Sequence, residues 1–306
     1  MLQAPLVAGV GHATFDIVGV VPRRLEPDGR ADLSSVSLQG GGAVATALVT
    51  ARALGCRARF GGRLADDDFG RFARAGLVEA GVDCATLASG PGTLSPMRFV
   101  GVAAEDLRRV VYASSGDVPP LGAADVDVAA LLDGARHLVL DGAHPEAQIA
   151  AAEAARAQGV GVIVDAGSVR GGLGELVGLA DVLVASERFV AEVAPRGEVE
   201  DSLVELQAMG PRTVVITLGP SGSIGLSGDE LVRQPAHEVE VVDTSGAGDV
   251  FLGAFSAGLA QGYAFARAVE LASAAAALSC RALGARAALP DRSELLAFLG
   301  WADAAR

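Results

Sequence analysis

Lysine and asparagine are both missing from the 306 residues. All 24 basic residues are therefore arginine, so a bound phosphate must be held by guanidinium groups, backbone amides, hydroxyls or a metal. A nucleotide site of the P-loop type is excluded, because its lysine cannot be supplied. Cysteine is scarce too: Cys56, Cys84 and Cys280 lie far apart, which argues against a disulfide framework and a thiolate metal site and leaves small buried apolar side chains. The histidines, His12, His137, His144 and His237, lack metal-ligand spacing. No run of about eighteen apolar residues free of charge or turn residues occurs, and the opening residues MLQAPLVAGVGH lack the pattern of a signal peptide. The expected location is the cytoplasm, with no membrane partner. A net charge of −13 argues against nucleic acid, whose phosphates demand a basic surface.

What is present is an alternation. Half the residues are hydrophobic, enough for a substantial core, and apolar strands alternate with Ala-rich helical segments, the pattern of βαβ units around a largely parallel sheet. Strands are expected at 6–11, 57–62, 137–141, 160–165, 181–185 and 213–218. Helices are expected at 43–54, 67–80, 145–158 and 265–283. Ligands bind at the carboxyl ends of such strands, where Asp165, Ser186 and Gly219 fall. Two stretches, 15–38 and 92–113, break the alternation. Their β-branched residues and turn signals, Glu26-Pro-Asp-Gly29 and Gly90-Pro-Gly92, predict extra antiparallel strands, as a lid or as ordinary surface hairpins.

The run Asp243-Thr-Ser-Gly-Ala-Gly-Asp-Val-Phe251 carries the most chemistry. It follows a stretch of strand character, 237–242, and opens an apolar helix, 250–260. The first amides of a helix lack partners and carry the positive end of its dipole, so a phosphate or developing negative charge is stabilised there. A carboxylate at that point, Asp249, would repel the anion unless it takes a proton from a neutral group such as a hydroxyl. By themselves the residues also fit a helix that Asp249 merely caps. A second glycine cluster, Gly40-Gly-Gly42, precedes another helix, and Thr213 to Ser223 reads as a glycine loop or a simple hairpin. Asp165 and Arg170 follow a strand; the planar fork of Arg170 suits an anionic substrate group, unless it only pairs with Asp165.

The run 243–249 resembles the second signature of the ribokinase, or PfkB, family of sugar kinases, D-T-x-G-A-G-D. The resemblance implies an α/β fold of three layers, α/β/α, with a mostly parallel central sheet and a small β-lid: one catalytic domain over 1–306, with lid strands inserted at about 15–38 and 92–113. It implies ATP-dependent phosphorylation of a primary hydroxyl of a sugar or sugar derivative, with Mg2+, a monovalent cation such as K+, and a homodimer through the lid. Asp249 then becomes the catalytic base, Gly246, Ala247 and Gly248 the anion hole, and the backbone at Asp243 and Thr244 the cation site. Gly41 and Gly42 match the first signature, where glycines contact the sugar; its asparagine aligns with Thr46, which keeps a hydroxyl and loses the amide. Asp16 matches the aspartate that grips sugar hydroxyls. Thr217, Gly219 and Gly222 would line the nucleotide. At the family's N-x-x-E element the chain reads Ser186-Glu-Arg-Phe189, leaving Ser186 beside the nucleotide and Glu187 as the Mg2+ candidate. Serine there is shared with ketohexokinase-like members, which points to a ketose such as fructose. Two further readings stay open: a nucleoside kinase of the same family, with Phe15, Phe60 and Phe99 as base-stacking candidates, and a catalytically silent sugar-binding protein.

Overall fold

The computed structural model describes residues 3–23, 28–90, 94–194 and 197–302. Its strands are β1 (Leu6–Val10), β2 (Thr14–Val21), β3 (Ser35–Gly41), β4 (Arg57–Ala65), β5 (Leu87–Gly90), β6 (Met97–Ala103), β7 (Arg109–Ser114), β8 (Ala135–Leu140), β9 (Gly161–Ala166), β10 (Val182–Ser186), β11 (Thr213–Thr217), β12 (Ser223–Ser227) and β13 (Glu230–Gln234). Its helices are α1 (Ala43–Ala53), α2 (Asp68–Glu79), α3 (Val128–Leu132), α4 (Pro145–Ala157), α5 (Leu173–Leu179), α6 (Glu187–Val193), α7 (Val199–Ala208), α8 (Ala247–Ala260), α9 (Phe265–Ser279) and α10 (Arg292–Leu299).

The larger sheet has the order β13-β12-β11-β10-β9-β8-β1-β4-β5. Every pair from β11 to β5 is parallel, and the β12–β13 hairpin closes the other edge antiparallel. Successive strand side chains point to opposite faces, and both faces here are apolar. Val7, Val139, Ile163, Val184 and Val215 meet α1, α8 and α9 on one side. Their neighbours Ala8, Leu138, Val162, Leu183 and Val214 meet α4, α5 and α7 on the other. Burial on both faces is why these strands read as continuous hydrophobic runs.

The second sheet, in the order β3-β2-β6-β7, is built from the two stretches expected to carry extra strands. Its outer pairs are antiparallel, but the central pair, β2–β6, is parallel, which corrects the wholly antiparallel expectation. The chain reaches β6 only after crossing β4, α2 and β5, so it enters in the same direction as β2. Register places Asp16 opposite Arg98 and Val18 opposite Val100, with Val102 opposite Arg109 on the next strand. Asp16, Val18, Arg98, Val100, Arg109 and Val111 therefore share one face, turned toward the larger sheet's helices. The predicted turns at 26–29 and 90–92 lie partly outside the described residues.

Two further expectations need correction. Residues 237–242 form no strand: β13 ends at Gln234, Pro235 cannot donate to a ladder, and the chain leaves the sheet. Helix α9 stops at Ser279, short of 283, because the following turn folds onto Asp243, whose carboxylate accepts from the Gly284 amide at 2.8 Å.

Candidate active site

Helix α8 starts at Ala247 with Gly246 as its N-cap in the left-handed region, φ 72°. No side chain caps this end, so Asp249 is not the cap; it sits one turn in, half-buried and facing a cavity. A side chain at 246 would run into the Cβ of Ala285, which is why glycine serves there. The amide of Ala247 is bonded to the Thr244 carbonyl at 3.3 Å, whereas those of Gly246 and Gly248 have no acceptor among the described residues. The predicted cradle of three amides thus has two open donors and one already engaged. Asp243 shapes the loop from beneath: its buried carboxylate accepts from the amide and hydroxyl of Ser245 at 2.9 and 2.8 Å, and from Gly284.

The cavity holds about 310 Å3, at the small end of ligand pockets. It lies between the small sheet and the head of α8. Asp16, Gly41 and Gly42 line one side and the 244–249 loop the other, with Val18, Val100 and Val111 between them. The two glycine motifs, some two hundred positions apart, therefore meet in one space. A Cβ at 41 would strike the Asp16 carboxylate, and one at 42, where φ is 95°, would strike the His12 carbonyl. Asp16 is buried and accepts from the Thr14 hydroxyl at 2.6 Å. Burial raises its pKa, with Thr14, Arg98 and Arg286 pulling the other way. Asp249 is pushed up to about 6, mainly by loss of bulk water, with Asp141 and Asp16 adding to the rise and Arg98 and Arg286 opposing it. Such a carboxylate is ionised at neutral pH, yet basic enough to accept a proton from an alcohol.

Three arginines that sequence reasoning missed belong to this site. Arg98 and Arg109 line the cavity from β6 and β7. Arg286 stands behind the Gly41 wall, off the lining itself, donating to the Thr46 hydroxyl and the Gly41 carbonyl, both at 3.2 Å. Burial lowers its pKa to about 10, with Asp16 and Asp249 resisting the fall. Thr46 itself is fully buried within α1 and lies off the cavity wall, so its contact is with Arg286. Arg170 is exposed and lies off the lining. Its field reaches Asp165, whose pKa burial raises, reinforced by Asp249 and Asp141.

On the neighbouring strand ends, Ser186 and Thr217 stand side by side in register on β10 and β11. Ser186 caps α6, accepting from the Phe189 amide at 3.1 Å, and donates to the Gly167 carbonyl at 3.0 Å. Its identity is thus explained by a helix end whatever the substrate. Gly219 has positive φ with open space about its Cα, whereas Gly222 is pinned against the Gln234 carbonyl. Glu187 is exposed at the first position of α6. None of these lines the cavity described above. The aromatic candidates also lie elsewhere: Phe15 stacks on Phe69, Phe60 is fully buried, and Phe99 pairs with Tyr112 on the opposite face of the small sheet.

A helix end with two open amides and a carboxylate of raised basicity face one cavity beneath the small sheet, an arrangement suited to moving a phosphoryl group onto a small alcohol. The family model described as pfkB family carbohydrate kinase matches residues 4–292, and the chain belongs to that family. It is 31% identical over 307 residues to the ATP-dependent ribose-1-phosphate kinase of Halopiger xanaduensis, covering 96% of this chain and 97% of the relative. Among solved structures it resembles the ribokinase of Thermotoga maritima, with a TM-score of 0.82 at 26% identity, covering 97% of this chain and 99% of that one. It also resembles the Arabidopsis thaliana ribokinase complexed with ribose and ATP, with a TM-score of 0.85 at 25% identity, covering 98% and 100%. No helix among the described residues is long and apolar enough to cross a membrane.

Proposed function

We propose that this kinase transfers the γ-phosphoryl group of ATP to a primary hydroxyl of a sugar or sugar derivative, with Asp249 as the base. The observation that carries the reading is the position of Asp249: a carboxylate of pKa about 6 facing the same cavity as Asp16 and the open amides of the α8 N-terminus. Asp16 orients the sugar by accepting hydroxyl hydrogen bonds, and Gly41 and Gly42 let the substrate approach the backbone. As the alcohol attacks phosphorus in line, Asp249 accepts its proton. The amides at Gly246 and Gly248 stabilise charge on the phosphoryl oxygens, an effect of about 3 kcal/mol per well-placed donor in comparable oxyanion sites. The buried apolar lining by Val18 and Val100 limits water that would compete as acceptor. An aromatic-free lining favours a sugar over a nucleoside.

The nucleotide is assigned to Ser186, Thr217, Gly219 and Gly222 at the adjoining strand ends. Among the described residues no cluster of three or more His, Cys, Asp or Glu is placed to hold a metal. Magnesium would arrive on the nucleotide phosphates, with Glu187 as the proposed carboxylate partner. A monovalent cation near residues 243–244 is supported by the buried Asp243 carboxylate, whose hydrogen-bond donors are all neutral. A homodimer is supported by the outer face of the small sheet, where Val36, Leu38, Val110 and Tyr112 are 46–66% exposed. A second copy of the same apolar sheet would cover it.

The test is ADP release from MgATP over ketoses, aldopentoses, sugar acids, sugar phosphates and nucleosides, with Asp249→Ala beside the wild type. The expected result is sugar-dependent turnover that falls by several orders of magnitude in the variant while nucleotide binding persists. Turnover of the variant near the wild-type rate would remove Asp249 as the base.

A further inference from the structure

The turn at 284–286 touches both halves of the site. On one side the Gly284 amide donates to the Asp243 carboxylate at 2.8 Å, and the Ala285 Cβ fills the space that a side chain at Gly246 would need. On the other, the Arg286 amide donates to Gln39 Oε1 at 2.9 Å, and its guanidinium to the Gly41 carbonyl and the Thr46 hydroxyl, both at 3.2 Å. The phosphoryl loop and the sugar wall, far apart in the chain, are joined through three consecutive residues. The joint has little play. Gln39 is buried, and a Cβ at Gly284, where φ is 90°, would fall on its Nε2, so only glycine lets the turn pass that close. The acceptors of the guanidinium among the described residues are all neutral, although a charge held away from water is costly unless opposite charge faces it. That opposite charge stands one layer away. Asp16 Oδ2 lies against the far side of Gly41, and Asp16 and Asp249 both sustain the charge on Arg286. Both carboxylates in turn feel Arg286, together with Arg98 from β6. Asp141, beyond the end of β8, and Asp16 act on Asp249 in the opposite sense, and Asp165 faces it from β9.

We propose that Arg286 is a positioning residue for phosphoryl transfer: it fixes the Gly41–Gly42 wall on which the sugar lies and, through its own turn, holds that wall in register with the loop that receives the γ-phosphoryl group. The inference rests on the phosphotransfer reading above. Arg286 touches no reacting atom. Its planar fork spans two acceptors on different elements, the end of β3 and helix α1, a geometry that the compact ammonium of lysine does not reproduce. Thr46 takes part only as one of those acceptors. The charge has a second consequence, since it helps to keep Asp16 and Asp249 ionised and therefore able to accept from hydroxyl groups at neutral pH.

The experiment compares the wild type with Arg286→Met, which keeps the length and loses the donors and the charge, and with Arg286→Lys, which keeps the charge and loses the fork. With the sugar that turns over fastest in the screen above, Arg286→Met should lose about 100-fold in kcat/KM for sugar, the scale of a misplacement near 1 Å, with the KM for ATP unchanged. The acid limb of its kcat/KM profile should move above about pH 6, and Arg286→Lys should return the limb without the full rate. Adding Thr46→Val to Arg286→Met should cost nothing further. Near-normal turnover of Arg286→Met, a loss shared equally by both KM values with the limb unmoved, or additive losses in the double variant overturns the proposal. Should Arg286→Met fail to fold, Arg286→Lys decides alone: a fall in kcat/KM for sugar with the limb in place supports the fork, and full activity sinks it. A second readout needs no turnover. In 13C NMR the carboxyl carbon of Asp249, identified by its loss in Asp249→Asn, should titrate at a higher pH in Arg286→Met than in the wild type. A wild type that releases no ADP with any sugar would sink the phosphotransfer reading, whereas an unmoved Asp249 carboxyl would count against Arg286 whether or not sugars turn over.

Discussion

Replacing Asp249 with asparagine should stabilise the protein while silencing it. In the unfolded chain the carboxylate keeps its ordinary pKa of 3.8; in the fold it titrates at about 6. Above pH 6 both states carry the charge, and the folded state bears the whole cost of holding it away from water, about 3 kcal/mol at 1.36 kcal/mol per pKa unit. Between pH 6 and 4 the folded state binds the proton first and the cost fades; below pH 4 it is gone. Asparagine fills nearly the same volume without the charge, but it also withdraws a counter-charge from Arg286 and Arg98, so we expect a net gain of about 2 kcal/mol at pH 7. At roughly 2 °C per kcal/mol for a chain of this size, Tm should rise by ~4 °C. Calorimetry of both proteins at pH 7.5 and pH 4 measures this directly. The rate with sugar should meanwhile fall by several orders of magnitude, and wild-type kcat/KM should decline as the pH drops below about 6. A variant no more stable at pH 7.5, or equally favoured at both pH values, would refute the assignment of a strained carboxylate to this position.

Other outcomes follow from single contacts. Gly41→Ala drives a methyl group into the Asp16 carboxylate, so the KM for sugar should rise about 10-fold or more with the KM for ATP unmoved; parallel changes in both would contradict the placement of Asp16. Ser186→Ala removes the cap of α6 and should cost about 1 kcal/mol in urea denaturation, whichever sugar is used, and an unchanged midpoint would disprove the capping role. Potassium should raise activity over a sodium or choline background at equal ionic strength, through the loop braced by Asp243; equal rates in all three salts would remove the cation site. Leu38→Asp on the outer face of the lid should shift sedimentation from dimer to monomer, and a wild type that sediments as a monomer would dismiss that interface.

The layered core could be read from the chain because burial on both faces leaves runs such as 182–185 and 214–216 continuously apolar and flanked by helix-length segments. Asp249 was visible because it sits at a glycine-marked junction whose chemistry is local, whereas Asp16, an isolated acid inside β2, was reached only through the family resemblance. The arginines were not visible. Arg98 lies in phase with Val100 and Val102, a period-two signal that assigns it to their face, but which acid or loop it confronts depends on the parallel β2–β6 pairing, a long-range choice that alternation does not encode. Arg286 follows a helix end by several residues, and its placement depends on the turn folding back onto Asp243. Residues 237–242 misled for the opposite reason. Their alternation is strand-like, yet a strand needs a neighbour, and Pro235 had already turned the chain off the sheet edge.

Gly253 sits halfway along α8, where a Cβ would meet the backbone of Ala47 in α1. The helix bearing Asp249 is thus seated main chain against main chain, with no side chain as spacer. Asp249 is placed by that approach, and the tolerance of this enzyme to change should narrow sharply at that one small residue.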